Sequence, residues 1–206
     1  IERSVEEQRY DLLPERMESA CRRAYEVLAH TGDGQLCDVI LDRGQMEAAL
    51  DAAERSRCGM LCEYFRLLTA YSDIKILLRG QRTGQAAEWI REALCPVESV
   101  PAADVLPAYR EGEEALLNRL ERLDGGRFEK AVAAYKISPS AFERQMENEL
   151  MDCARRGKRV TLGPEPLIGY LLAKEAEIRA LHIVASGIRT GLPEASIRER
   201  LRELYG

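Results

Sequence analysis

Apolar residues recur at intervals of three and four along almost the whole chain, which is the spacing of one face of an α-helix. Met17, Cys21, Ala24 and Leu28 form one such run. No stretch alternates convincingly between apolar and polar residues, so the pattern predicts an all-α fold with essentially no sheet. The predicted helices cover approximately residues 14–30, a short segment around 46–53, then 60–79, 86–94, 108–123, 127–135, 139–157, 164–186, and a last helix from 193.

Helix-capping and helix-breaking residues indicate where these helices begin and end. Asp42 is predicted to be an N-cap residue, because its short side chain can accept a hydrogen bond from the first turn of a helix. Gly80 is predicted to end the long helix 60–79, with Gly84 in a turn just beyond it. Residues 95–107 contain three prolines and lack periodicity. We therefore predict that this segment links two halves of the chain.

The two halves resemble each other in sequence. Residues 76–94 and 183–201 are identical at nine of nineteen positions when aligned at an offset of 107. The identities include Arg-Thr-Gly at 82–84 and Ile-Arg-Glu at 90–92. Chance would rarely produce both matches at one offset, so the pattern predicts a helical unit that occurs twice and buries its apolar face against a neighbour.

A weaker similarity lies upstream of each match. Residues 41–42 and the helix after them resemble residues 123–124 and the helix that follows, at an offset of 82. The two offsets differ by 25 residues, which predicts an insertion in the second half, the helix at about 139–157. We therefore expect one repeat in residues 1–100 and a second in residues 101–206.

Composition and charge exclude several classes of protein. The chain has 206 residues, of which 46% are hydrophobic and 32% charged, and its net charge is −5. This composition is typical of a globular chain rather than a disordered one. An acidic chain repels the phosphate backbone, so we expect no nucleic-acid partner. No apolar run reaches the roughly 18 residues needed to cross a bilayer. Any association with a membrane is therefore expected to depend on a protein partner.

The residues that commonly bind metals or catalyse reactions are scattered along the sequence. The six cysteines lie mostly at apolar positions of helical patterns, which favours buried, reduced thiols in the cytoplasm. His30 and His182 are the only histidines and lie in different halves. No set of ligands with zinc spacing and no partner for a general base is recognisable. We therefore expect no metal, no cofactor and no catalytic residue.

Several motifs resemble those of one known family. Residues 163–175, GPEPLIGYLLAKE, are similar to the third-repeat signature of the C-subunit family of V/A-type ATPases, which includes the eukaryotic d subunit. The segment 191–202 fits the same pattern, and Asp42 and residues 73–79 resemble the second-repeat signature. The family commonly has Asn where this chain has Asp73 and Ala180, and it has three repeats where this chain shows two. The amino-terminal repeat is therefore expected to be missing.

The resemblance implies a function that composition and periodicity do not. It implies a funnel- or wedge-shaped helical subunit with pseudo-threefold symmetry and no catalytic activity. Such a protein lies on the membrane c-ring, receives the D and F subunits of the shaft, and transmits torque between ATP hydrolysis or synthesis and ion movement. The expected location is the cytoplasmic face of the membrane, as a peripheral part of the ATPase. The resemblance does not indicate whether H⁺ or Na⁺ is transported.

Two other classes of protein remain alternatives from the residues alone. A free-standing helical-repeat adaptor for a protein or peptide would have the same composition and internal similarity. An all-α enzyme would require converging polar groups in a pocket.

Six charged residues are candidates for contact with a partner. Arg155, Arg156, Lys158 and Arg159 form a basic run at a predicted helix end. This run can interact with the helix dipole, or it can contact an acidic partner or a lipid surface. A second candidate is the solvated edge of the last long helix, which carries two carboxylates, Glu175 and Glu177.

The residues 80–84 superficially resemble a phosphate-binding loop. The segment lacks a preceding strand and the Gly-Lys-Ser/Thr ending that such loops have. Its second copy at 187–191 favours a structural turn instead.

Overall fold

The structure is a computed structural model that describes residues 10–13 and 15–201. It is 84% helical and has no strand in the described ranges, which confirms the predicted all-α class. The ten α-helices of this part are α1 (Glu15–Thr31), α2 (Gly34–Ser56), α3 (Gly59–Thr83), α4 (Ala87–Ala93), α5 (Ala102–Glu111), α6 (Glu113–Arg122), α7 (Glu129–Ile137), α8 (Pro139–Arg155), α9 (Glu165–Arg189) and α10 (Glu194–Arg200). Short 3₁₀ segments cover Tyr10–Leu12, Leu123–Gly126 and Arg156–Arg159.

The first two long helices form a tight antiparallel pair. Gly32 has a positive φ of 67° in the turn between them. The side chain of Asp33 accepts a hydrogen bond of 3.0 Å from the backbone N–H of Leu36, which caps the start of α2. Inside the pair, Gly44 lies so close to Ala20 that a Cβ at position 44 would overlap the alanine methyl. The glycine therefore sets how closely the two helices approach.

The predicted N-cap at Asp42 is wrong. Asp42 lies in the middle of α2, which runs without interruption from Gly34 to Ser56. Asp33 caps the helix nine residues earlier, and the apolar residues 39–41 continue it, so no helix starts at Asp42.

The predicted helix end at Gly80 is also wrong, because the ending lies four residues later. Gly80 is inside α3, and Gly84 ends the helix with a φ of 68°. The N–H of Gly84 donates to the carbonyl of Gln81 at 3.4 Å, and the N–H of Gln85 donates to the carbonyl of Gly80 at 3.0 Å. These two bonds form a Schellman cap, which requires a left-handed residue that glycine adopts without a steric penalty.

The same cap ends α9. Gly187 lies inside the helix, and Gly191 has a φ of 69°. The N–H of Gly191 donates to Ile188 at 3.1 Å, and that of Leu192 donates to Gly187 at 2.9 Å. Thr190 donates its hydroxyl to the carbonyl of Ser186 at 2.8 Å, as Thr83 does to that of Arg79 at 3.0 Å. The repeated sequence thus folds into the same turn twice.

The helix after each cap packs an isoleucine onto the inner glycine. A Cβ on Gly80 would lie 2.5 Å from Cδ1 of Ile90. In the second copy, a Cβ on Gly187 would lie 2.7 Å from Cγ1 of Ile197. The glycine therefore leaves the space that the isoleucine fills, and this contact holds the short helix against the long one.

The predicted linker is only partly non-helical. Residues 95–101 form no α-helix, but α5 begins at Ala102 and contains Pro107. A proline inside a helix removes one hydrogen bond, and the buried side chains of Val105, Leu106 and Tyr109 offset that loss. Gly112, with a φ of 123°, separates α5 from α6 where the pattern predicts one continuous helix.

The chain divides into two compact units. The first comprises residues up to Ser56 together with Thr69–Leu120, and the second comprises Arg57–Leu68 together with the chain from Glu121 onward. The division falls within α3 and differs from the predicted repeat boundary near residue 100. That boundary concerns similarity between sequences and stays a prediction.

Each unit has its own apolar core. The fully buried side chains of the first unit come mainly from α3 to α6: Tyr71, Ile74, Leu77, Ile90, Val100, Val105, Leu116 and Leu120. In the second unit, α8 buries one face at helical spacing, formed by Phe142, Met146, Leu150, Cys153 and Ala154. Phe128, Ala131 and Val132 are completely buried in the same unit.

Replacing the inner glycines should destabilise the fold. We expect Gly80→Ala and Gly187→Ala each to lower the free energy of unfolding by about 1–3 kcal/mol, because the new methyl group overpacks against isoleucine. Chemical denaturation monitored by circular dichroism measures this change. Gly59→Ala is the matched control, since nothing lies within 4 Å of its added Cβ. An unfolding free energy that is unchanged in both test variants would contradict the Gly–Ile contact.

Candidate functional site

Part of the predicted basic run lines an open cavity in the second unit. Arg155 is the last residue of α8, and the 3₁₀ turn that follows contains the other three. Arg155, Arg156 and Arg159 line a cavity of about 500 Å³, while Lys158 is exposed but not part of its lining. The structure therefore brings three of the four predicted residues to one place.

Three residues that the sequence pattern does not indicate complete this cluster. The carboxylate of Glu63 in α3 forms one ion pair with Arg156 at 2.7 Å and another with Arg127 at 3.4 Å. Arg155 pairs with Asp152 at 2.8 Å on its own helix. Glu63 lies 93 residues before Arg156 along the chain, and no local pattern indicates such a contact.

The electrostatics of the cluster follow from these pairs. The hydrogen bond from Arg156, together with the charges of both arginines, lowers the pKa of Glu63 although burial opposes this. The hydrogen bond to Glu63 raises the pKa of Arg156. Four arginines and three carboxylates line the cavity. The lining therefore keeps an excess of one positive charge.

Close packing fixes the turn that carries the arginines. Gly157 is buried, and a Cβ there would lie 2.6 Å from the carbonyl oxygen of Glu165 at the start of α9 and 3.1 Å from the sulfur of Met60. The thiol of Cys153, just before the turn, lies 3.7 Å from the carbonyl oxygen of Met60. Only glycine lets the turn approach α9 this closely, so the arginine side chains start from a fixed backbone.

The two predicted carboxylates lie elsewhere in this unit, on α9. Glu175 is exposed and has Arg179 at 3.9 Å, whereas Glu177 is half-buried and accepts a hydrogen bond of 2.7 Å from Lys174. Neither lines the arginine cavity. The six candidates therefore form two groups, and their role as partner contacts stays a prediction.

A larger cavity lies in the first unit, between α2, α3 and α4. It measures about 550 Å³ and has charged and apolar walls. Asp73 is completely buried at its wall. Its Oδ1 accepts a hydrogen bond of 3.1 Å from the N–H of Cys95, while Oδ2 is buried with no hydrogen-bond partner among the described residues. Burial raises the pKa of Asp73 to about 8, so the carboxyl is mostly neutral at pH 7.

Potential metal ligands are scattered in the folded chain as well. Within residues 10–13 and 15–201, no group of three or more His, Cys, Asp or Glu residues could hold a metal ion. His30 and His182 are both exposed. Three of the six thiols are buried and three are half-buried, and burial raises the pKa of Cys95 to about 12. The expectation of buried thiols therefore holds for only half of them.

Comparison with known proteins identifies the family. A family model described as ATP synthase (C/AC39) subunit matches residues 1–200. The chain belongs to this family. The match includes both copies of the capped turn.

Three relatives carry names from the same group. The chain is 29% identical to the C subunit of the A-type ATP synthase of Methanothermobacter thermautotrophicus over 69% of its own length and 39% of the relative. It is 28% identical to the protein of the same name from Pyrococcus horikoshii, over 69% and 40% of the two chains. It is 24% identical to the C subunit of the V-type sodium ATPase of Enterococcus hirae, over 94% of its own length and 59% of the relative.

The chain therefore spans about two fifths to three fifths of the length of these relatives. No solved structure matches it significantly. In the described part of this family member, no helix is long and apolar enough to cross a membrane.

Asp73 should make this protein less stable as the pH rises. The pKa of the carboxyl in the folded state, about 8, lies above its ordinary value of 3.8. Between these values the folded state keeps a proton that the unfolded state has lost, so the free energy of unfolding falls as pH rises and is lowest above pH 8.

We expect Asp73→Asn to remove this loss. The variant and the unaltered chain should unfold at similar denaturant concentrations near pH 4, and at pH 8.5 the variant should be more stable by on the order of 5 kcal/mol. Urea unfolding measured across this pH range provides the test. Asp42→Asn, in the same cavity wall but exposed, is the control. A stability difference that does not change with pH would show that Asp73 is ionised in the folded protein.

Proposed function

We propose that this protein is a non-catalytic central-stalk subunit of a V/A-type rotary ATPase. In this role it couples the shaft, formed by the D and F subunits, to the membrane c-ring. The proposal rests on the match of residues 1–200 to the family described as ATP synthase (C/AC39) subunit. The names of the relatives, which belong to an A-type ATP synthase and a V-type sodium ATPase, support it.

The local structure suits a part that transmits torque. A coupling element must resist deformation, because a soft element would absorb rotation as strain. Each capped turn joins a long helix to a short one through paired backbone hydrogen bonds and a Gly–Ile contact without free space. Close-packed helices have low compressibility and transmit strain. Each capped turn is therefore a stiff joint.

The proposed position is the cytoplasmic face of the membrane, attached through the ring. The arginine cluster is the proposed contact with acidic side chains of a partner. Arg156 is partly neutralised by Glu63, so the exposed charge at Arg159 and Lys158 is the part of the cluster best placed for this contact. Glu175 and Glu177 are proposed as a second contact.

Binding to the shaft tests the proposal most simply. The native full-length protein should co-purify with the D and F subunits of its own organism and with the membrane ring, in stoichiometric amounts. Size-exclusion chromatography with light scattering measures the complex. Failure of the correctly folded protein to bind either the shaft or the ring would refute the proposed role.

Charge reversal tests the arginine cluster separately. We expect Lys158→Glu combined with Arg159→Glu to weaken assembly about tenfold, with an effect that shrinks as salt is added, because exposed charges are screened. Arg122→Glu combined with Lys130→Glu, two exposed cations of the same unit, is the matched control. Equal affinity of both double variants in a titration would exclude the cluster as a contact.

A further inference from the structure

The cavity of the first unit lies within one compact part of the chain. Its lining comes from α2, from the carboxyl-terminal half of α3 and from α4 with its neighbouring residues, all between Gln35 and Cys95. These segments belong to the same unit. The volume of about 550 Å³ lies within the range of sites that bind small molecules. The cavity is therefore a candidate ligand site, and its walls indicate the kind of ligand.

Large apolar side chains from all three helices line the cavity. Val39 and Met46 come from α2, Ile76 from α3 and Trp89 from α4. All four are half-buried, so each keeps part of its surface in water. A ligand that removes this surface from water gains free energy in proportion to the apolar area that it covers. The walls therefore favour a ligand with an apolar body.

Two exposed cations line the same cavity. Lys75 and Arg79 lie four residues apart on α3, so their side chains project from the same face of the helix. Neither forms an ion pair with another residue of the described ranges. The two cations outnumber Asp42, the exposed carboxylate of the same lining. This part of the surface therefore attracts an anion, although the chain as a whole has a net charge of −5.

A third cation of the lining, Arg43, has a structural role. Its Nε donates to the carboxylate of Glu47 at 2.8 Å, and its Nη1 donates to the backbone carbonyl of Glu92 in α4 at 3.3 Å. These bonds connect α2 to α4 and give the guanidinium a counterion within the protein. The groups that are available to pair with a ligand anion are therefore Lys75 and Arg79.

The buried Asp73 in the wall is a second sign of a binding site. Its Oδ2 has no hydrogen-bond partner in the part of the chain that the structure describes, which is rare for a buried polar atom. Burial raises the pKa of Asp73 to about 8, and strongly shifted carboxyl groups concentrate at functional sites. An ionised carboxylate at this place would repel an anion. The neutral carboxyl therefore keeps the cavity favourable for one at pH 7.

We propose that the cavity between α2, α3 and α4 binds a small organic anion, such as a carboxylate with an apolar body. Lys75 and Arg79 pair with the anionic group, and the apolar walls around Trp89 cover the body of the ligand. This inference does not rest on the proposed ATPase role, because it follows from a cavity of the first unit, whereas the proposed partner contacts lie in the second.

Other classes of ligand fit the cavity less well. A cationic ligand would be repelled by Lys75 and Arg79. A small inorganic anion would pair with these cations but would leave the apolar walls in water. A metal ion would lack a group of three suitable ligands among the described residues. An organic anion matches both the charge and the apolar surface.

Trp89 reports on this cavity directly, because it is the only tryptophan of the 206 residues. The probes are 3-phenylpropionate, its uncharged amide, and acetate, which has the charge without the ring. Titrations of the full chain at pH 7, followed by Trp89 emission and by calorimetry, should show saturable one-to-one binding of 3-phenylpropionate. The amide should bind about tenfold more weakly, because it lacks the charge. Acetate should leave the emission unchanged.

Charge removal tests the two cations. Lys75→Gln combined with Arg79→Gln should weaken binding of 3-phenylpropionate about tenfold and leave the affinity for the amide unchanged. Arg82→Gln combined with Arg91→Gln, two exposed cations of the same unit outside the lining, is the matched control and should bind the anion as the unaltered chain does. Circular dichroism melting confirms that each variant is folded.

The pH dependence of binding tests the wall of the cavity. Affinity for 3-phenylpropionate should fall about threefold as the pH rises through 8, because Asp73 then gains a negative charge. The other charged or titratable groups around this carboxyl are Arg43 and Glu47 on α2 and the thiol of Cys95, whose pKa burial raises to about 12. Asp73→Asn should bind the probe equally well below and above pH 8, while circular dichroism confirms that both proteins stay folded.

Several results would overturn the proposal. Trp89 emission that does not respond to 3-phenylpropionate up to its solubility limit would do so, as would equal affinity for the anion and the amide. Equal binding by the two double variants would exclude Lys75 and Arg79. A response to acetate as strong as that to 3-phenylpropionate would leave an adventitious ion only. Affinity of the unaltered chain that does not change with pH would contradict the role given to Asp73.

Discussion

The contact between a glycine inside a long helix and an isoleucine on the short helix after it is the constraint on which the repeated structure depends. It occurs as Gly80 with Ile90 and as Gly187 with Ile197. The left-handed glycine four residues later reverses the direction of the chain. At the inner position, only a residue without a β-carbon leaves room for the isoleucine to pack against the long helix. The spacing that the two copies share thus has a geometric reason.

Much of the fold could be predicted from the sequence because these signals are local. Helical periodicity and the repeated Gly-x-Arg-Thr-Gly segment identify the helices and the doubled turn. The errors at Asp42, Gly80 and Pro107 share one cause: a residue that can begin or end a helix does not always do so. Tertiary burial and a better cap nearby determine the actual boundaries.

The candidate site was only partly predictable. The run of cations at 155–159 is visible in the sequence, but its counterion Glu63 comes from a distant helix, and only the folded chain brings the two together. The burial of Asp73 is equally hidden in the sequence. The exposed apolar side chains of α9, such as Leu167 and Leu181, are visible in the sequence only as part of a helical pattern, because periodicity alone does not show which face is covered.

The two units illustrate how one turn can serve two surroundings. In the first, Tyr109 covers the turn and Ile90 is completely buried; in the second, Ile197 is half-buried beside the exposed Ile188. The joint is the same, while the surface around it differs.

A double-mutant cycle at the second joint tests this account most directly. Gly187→Ala, Ile197→Ala and the combined variant would be compared by equilibrium unfolding. If the glycine makes room for the isoleucine, removing the isoleucine should relieve the overpacking. The combined variant should then be more stable than the sum of the single effects predicts, by about 1 kcal/mol or more. Additive effects would show that the two residues do not constrain each other and would contradict the account.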